Sequence, residues 1–207
     1  TLYMHADSMK IYTFNINTDS VYRKVHCFKH AKVFRNDVQA ICDSLVYNSK
    51  DSCMTMYKDP IAWNTDRQIL GEVIKVYLQD STVREAHVVG QALSIELMPD
   101  KKHYNQLSSK EITTYFAKGN VRRVVAFGNV KTIYYPVDDK DSTLQGLVYT
   151  ETDTMKLYIS PERKLQKIWT PKNASVMYPM TQIPPNKYKL PEFAWFDNLR
   201  PTGPDDV

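Results

Sequence analysis

The chain has 207 residues, 43% of them apolar and 24% charged, with 27 Lys and Arg against 23 Asp and Glu for a net charge of +4. These values describe a soluble globular chain of one large domain or two small ones and exclude a disordered one. No apolar run reaches the roughly 18 residues of a membrane-spanning helix, and the charge is too small for a dedicated nucleic-acid binder.

In chain order the first element is "ADSMKIY" (6–12), a small residue at Ala6 followed three places on by apolar Met9. After the turn-forming "NINTDS" comes "VYRKVHCFKHAKVF" from Val21, β-branched and aromatic, with Ala31 in its second half. Cys42 and Leu45 repeat the small-then-apolar pair. "YNSKDS" is the next turn, and "CMTMYKDPIAW" from Cys53 is a short copy of the longer element with Pro60 in the Ala31 slot. Gly71 and Ile74 in "GEVIKVY" lead through "LQDS" into "VREAHVVGQALSI" (83–95). Ser109 and Ile112 in "SKEITTY" lead through "FAKGN" into "VRRVVAFGNVKTI" (121–133). Gly146 and Tyr149 lead through "SPERK" into "LQKIWTPKNASVM" (165–177). The three long copies align without a gap, so that Gly90, Gly128 and Lys172 share a slot, as do Ala92, Val130 and Ala174.

Five small-then-apolar pairs at intervals of 36, 29, 38 and 37 residues place the chain among repeat architectures. The elements lack the i, i+3, i+4, i+7 stripe of an amphipathic helix, and turn chemistry separates them, so each repeat predicts strands. Stacked repeats share one core; six or seven layers would span about 30 Å. The Ala31, Ala92, Val130, Ala174 slot predicts one ladder of close approach. The Gly90 and Gly128 slot, followed by Gln or Asn, predicts a bulge that bends each strand at one height. Asp-Ser occurs six times, at Asp7, Asp19, Asp43, Asp51, Asp80 and Asp141, which is turn chemistry rather than a metal site. Residues 1–178 form the predicted stack. From Pro179 the chain carries most of its prolines, and 179–207 reads as an extended tail. In it "EFAWF" (192–196) is expected to plug the last layer, the alternative being a docking segment for another protein.

No catalytic set emerges. Cys27, Cys42 and Cys53 are an odd number without a CxxC and read as small buried residues. His26 and His30 stand about 13 Å apart along a strand, too far for one metal ion. No GxSxG or GxGxxG appears, and no carboxylate pair stands out. No cofactor and no metal are expected.

The layered pattern of "ADSMKIY", "CDSLVY" and "VVGQALSI" resembles the OstA-like lipopolysaccharide-transport proteins, which include LptA, LptC and the N-terminal domain of LptD. The run "CDSLVYNSKDSCMTMYKDPIAW", with "MTQIPP" and "FAWFDNLRP" near the end, is similar to the OstA-like proteins of Bacteroides and relatives. The resemblance spans nearly the whole chain. It implies an all-β fold, a folded-over antiparallel stack called a β-taco or β-jellyroll, with an open apolar groove between two sheets. It implies a non-enzymatic carrier in the periplasm, free or membrane-associated, its signal peptide removed, that holds the acyl chains of lipopolysaccharide or lipid A in the groove. Partners would be other transport proteins, or further copies of the chain head to tail, joined through edge strands; no nucleic acid is expected.

The expected groove lining is Leu45, Ile74, Val76, Val88, Ile112, Val124, Ala126, Ile133 and Ile168, because acyl chains gain about 0.8 kcal/mol per buried CH₂. A headgroup rim of Arg122, Arg123 and Lys164 would suit phosphates. Each lining residue could equally fill a closed core, and the parity of "IWT" and "AFG" leaves the inward face open there. The alternative function is a structural β-solenoid acting through edge contacts alone. A carbohydrate-active β-solenoid enzyme would need carboxylates converging on one ladder.

Overall fold

The computed structural model describes residues 2–80, 82–138 and 140–206. The Ser81 half of the fifth Asp-Ser pair and Asp139 of "PVDDKDST" lie outside them. Among the described residues there are fourteen strands and no α-helix. Six strands are long: β3 (Tyr22–Arg35), β4 (Val38–Asn48), β9 (Thr82–Leu97), β10 (Tyr104–Ala117), β11 (Asn120–Tyr134) and β12 (Gly146–Ile159). Eight are half-length: β1 (Tyr3–His5), β2 (Ser8–Phe14), β5 (Cys53–Tyr57), β6 (Ile61–Asn64), β7 (Arg67–Leu70), β8 (Val73–Gln79), β13 (Leu165–Trp169) and β14 (Asn173–Pro179).

Each long strand changes register near its middle, and the two halves belong to different sheets. Sheet I runs β2, β3, β4, β5, β8, β9, β10, β11, β12, β13. Sheet II runs β1, β3, β4, β6, β7, β9, β10, β11, β12, β14. All neighbours are antiparallel. The inward residues of both sheets, such as Cys27, Leu45 and Met54 from one and Val33, Ala40 and Leu107 from the other, form one buried cluster. The stack is therefore a single folded-over sheet. It has ten layers rather than six or seven, because each repeat supplies an outgoing and a returning strand.

The crease is written into the backbone. Two consecutive residues take positive φ at each of four layers: Lys29 and His30, Lys58 and Asp59, Gly90 and Gln91, Gly128 and Asn129. These are the aligned slots of the repeat, so the expected bulge is present. Gly90 and Gly128 carry the largest values, φ +76° and +81°. A Cβ at Gly90 would stand 2.5 Å from the Glu72 carboxyl group and one at Gly128 2.7 Å from Lys110 Cδ. A side chain costs about 1–2 kcal/mol in this region, so Gly90→Ala and Gly128→Ala should each lower stability by that amount in urea unfolding. Gly71→Ala should cost more. Its Cβ would meet buried Val88 Cγ1 at 2.6 Å and the Gly90 carbonyl at 3.1 Å, neither of which is a flexible end.

Two alignments of the repeat are corrected. Pairing puts Thr152 opposite Val130 and Met155 opposite Ala126, so the fifth small-then-apolar pair is Thr152 and Met155, not Gly146 and Tyr149. The loop between β11 and β12 lengthens that repeat. Asn173, not Ala174, continues the Ala31–Ala92–Val130 ladder through Thr152, because the last layer crosses the crease without a positive-φ pair.

The segment after Pro179 makes four short 3-10 turns, Met180–Gln182, Pro185–Lys187, Asp197–Leu199 and Pro204–Asp206. It does not plug the last layer. It crosses the outside of sheet II as a strap, back toward the first strands. Three buried glutamines on that outer face hold it, two by its backbone and one by a side chain. Gln106 accepts from Leu190 N–H (2.8 Å) and donates to the Tyr188 carbonyl (2.8 Å). Gln68 donates to the Ala194 carbonyl (2.7 Å) and accepts from Phe196 N–H (2.8 Å) and from Trp63 Nε1 (3.2 Å). Gln39 accepts from Arg200 Nε (2.7 Å). At the far end Lys32 Nζ donates to the Asp206 carbonyl (2.7 Å). The aromatic run sits against Tyr104, with ring centroids 5.2 Å away for Phe193 and 5.4 Å for Trp195. A second core of Met98, Ile133, Tyr135, Leu147, Ile183 and Leu190 closes beneath the strap. Met98 lies in the "LMPDKKHYNQ" insertion, and Tyr135 directly precedes "PVDDKDST".

Candidate functional site

The space between the sheets is built from ladders that follow the pairing register. Nearest the crease on sheet I runs Met9, Cys27, Leu45, Met56, Ile74, Val88, Ile112, Ala126 and Met155. All but the terminal Met9 are at most 3% exposed. Two residues further from the crease runs Ile11, Val25, Tyr47, Met54, Val76, Ala86, Thr114, Val124, Leu157 and Ile168. Here Met54, Ala86 and Val124 are buried, Val76 and Leu157 are half-buried, and the two ends, Ile11 and Ile168, are exposed. The hairpin turns of each sheet line up beyond these ladders, opposite the crease.

Eight of the nine expected lining residues therefore face the inter-sheet space. Leu45, Ile74, Val88, Ile112 and Ala126 form its sealed floor, and Val76, Val124 and Ile168 lie on the ladder nearer the turns. Ile133 does not join them. It pairs with Gln106 and Tyr149 on the outer face of sheet II and packs in the second core under the strap. The strand "VRRVVAFGNVKTI" keeps its inward parity across the Gly128–Asn129 bulge, with Val124, Ala126 and Val130 all in the inter-sheet core, so Ile133, an odd number of residues from Ala126, points to the opposite side. Met9, Met54, Met56 and Leu157 belong to the ladders and were not anticipated; they are placed there by pairing with Cys27, Val76, Ile74 and Val124 on other strands.

The basic rim divides. Arg122 Nη1 donates to the Ser160 carbonyl at 3.1 Å, which ties it to the β12–β13 turn. Lys164 lies in the same turn, its N–H donating to Ser160 Oγ (3.2 Å). Glu162 stands there too. Hydrogen bonds from the Ser160 side chain and its own backbone hold it below the usual carboxylate range, with Arg122 and Lys164 adding to the effect. Arg123 points away, onto the outer face of sheet I, with its guanidinium 4.1 Å from the Tyr115 ring centre.

The other candidates do not assemble a site. The three cysteines are buried and unpaired with one another; burial pushes the Cys42 thiol up to about 12. His26 stacks edge-on with Tyr12 (5.1 Å), while His30 meets the Asp7 carboxylate (3.0 Å) at the crease. Asp7 and Asp43, the latter 3.1 Å from Lys58, brace the crease; Asp51 and Asp141 accept the backbone N–H two residues on. Among the described residues no three His, Cys, Asp or Glu converge on a metal position. A crevice of about 570 Å³ lies at the crease of the last layers, lined by polar residues such as Asn129, Lys131, Glu151 and Lys172, outside the apolar space.

This folded-over arrangement has a counterpart among solved structures. LptH from Pseudomonas aeruginosa, described as the LptA-homologous periplasmic component of a lipopolysaccharide transport device, superposes with a TM-score of 0.51 at 15% identity, over 69% of this chain and 95% of that one. The two share a fold. No protein-family model and no curated protein matches the chain.

Both ends of the stack are open. All seven residues of β2 are exposed, including Met9 and Ile11 on the inward ladders. At the other end Ile168, Val176 and Met177 are exposed on β13 and β14. Each end thus offers a free strand edge beside an uncovered end of the core.

Proposed function

We propose that this chain is a periplasmic lipopolysaccharide carrier of the OstA-like kind, allied to those of Bacteroides and relatives. Its role is non-catalytic: acyl chains enter between the sheets from the side of the turns. The observation that carries the reading is the graded inward ladder, sealed at the crease and half-exposed toward the turns, in a fold shared with a lipopolysaccharide-transport component. An acyl chain would lie along Val76, Val124, Leu157 and Ile168, parting the sheets at their free margins while the crease holds. Arg122 and Lys164 beside Ser160 would meet headgroup phosphates, and the two open ends would join further copies or other transport proteins through strand pairing.

The test is co-purification or native mass spectrometry with lipopolysaccharide and with its delipidated polysaccharide. The expected result is retention of the acylated form alone, and its loss in Val76→Asp with the melting temperature kept. Equal retention of the delipidated form would sink the proposal. A folded protein that binds neither form would favour the structural β-solenoid.

A further inference from the structure

The outer faces of the two sheets differ. Sheet II is covered by the strap; sheet I is bare. On the bare face the outward ladder positions carry six cations, Lys10, Lys24, Lys75, Arg123, Lys156 and Lys167, against two carboxylates, Glu85 and Glu111. These ladder positions alone carry a net charge of +4, equal to that of the whole chain, and Lys50 and Arg84 reach rings of the same face. Glu85 is further occupied by His87.

The cations are also organised. Seven cation–ring pairs lie on this face among the described residues, including Lys24 over Phe14, Arg123 over Tyr115 and Lys156 over Trp169. A cation resting on a ring loses conformational freedom before any partner arrives, while its N–H donors still face outward. Beside them, on the row next to the crease, Tyr57 and Phe127 present rings to solvent, 40% and 53% exposed.

We propose that the outer face of sheet I is a docking surface for an acidic glycan, its carboxylates or phosphates on the cations and the apolar faces of its sugars on Tyr57 and Phe127. Charge complementarity gives the sign of the partner. The interleaved rings point to sugar rather than to bare anions, since a saccharide ring offers an apolar C–H face beside its charges. Neighbouring strands rotate on each other by roughly 20°, so ten strands carry the cations along a curved path. A flexible chain can follow that path; a flat bilayer would meet only a few strands of it. This surface lies outside the inter-sheet space and does not depend on acyl binding there.

The test is titration calorimetry with polygalacturonate, which has no acyl chains, against neutral dextran of matched length. Parallel arms use phosphatidylglycerol vesicles and oligothymidylate. Polygalacturonate should bind at least about tenfold more tightly than dextran and weaken as salt rises. The triple variant Arg123→Gln, Lys156→Gln, Lys167→Gln should lose about tenfold or more of that affinity with its melting temperature unchanged. Phe127→Ala should weaken the glycan while leaving the salt dependence alone. No binding of polygalacturonate, equal binding by the triple variant, or tighter binding of vesicles or oligothymidylate would each overturn the assignment.

Discussion

Gln68→Ala is expected to destabilise the protein by about 3–5 kcal/mol, far beyond the usual cost of a polar-to-alanine change. Gln68 is 0% exposed and its one amide serves three partners. Its loss leaves the Ala194 carbonyl, the Phe196 N–H and the Trp63 indole N–H without their bonds in a buried setting, where each orphaned group costs about 1–3 kcal/mol. Removal of 180–206 should go further and yield insoluble protein. It would uncover Trp63, Ile95, Ile133 and Leu147, all at most 1% exposed, and the Gln39, Gln68 and Gln106 amides with them. Urea unfolding of Gln68→Ala beside Gln166→Ala, an exposed glutamine on β13, decides the matter. The control should stay within about 0.5 kcal/mol of the parent; equal midpoints for the two variants would refute the strap's role.

Ile74→Asp is expected to prevent folding, at a cost above about 4 kcal/mol, because its carboxylate would enter the sealed ladder with no partner. Ile11→Asp places the same group on the neighbouring ladder, but at the terminal strand where the side chain is 66% exposed, and should cost less than about 1 kcal/mol. Circular dichroism melts of the two variants test this gradient along and across the stack. Similar melting temperatures would mean that the floor yields to water, contrary to a closed crease. The contrast also explains why Val76, and not Ile74, is the position at which lipid binding can be probed in a folded protein.

Much of the stack was legible in the chain. The Gly90 and Gly128 slots, and the Lys29–His30 and Lys58–Asp59 pairs aligned with them, mark the crease because a repeated backbone need leaves a repeated residue pattern. Spacing also placed Leu45, Ile74 and Ile112 on one ladder. Ile133 was misplaced because this strand is apolar on both faces: Ala126 and Val130 face the inter-sheet core while Ile133, of the other parity, faces a second core that exists only because the strap covers it. The strap had a faint signal that went unread: Gln39, Gln68 and Gln106 each stand three residues before the small residues Cys42, Gly71 and Ser109. A polar side chain repeated on a strand reads as solvent-facing until its partner is known, and the strap partners here lie 82 to 161 residues away.

By itself the sequence determined the all-β class, the repeat, the turns and the height of the crease, since these rest on local backbone preference and on period. The tertiary structure alone decided that there are ten layers, that Thr152 and Met155 complete the fifth repeat, and that one outer face is strapped while the other stays bare. Those outcomes depend on register and on contacts between distant segments. A one-residue slip in either reverses every side chain from core to surface, and nothing in a local stretch records which choice was made.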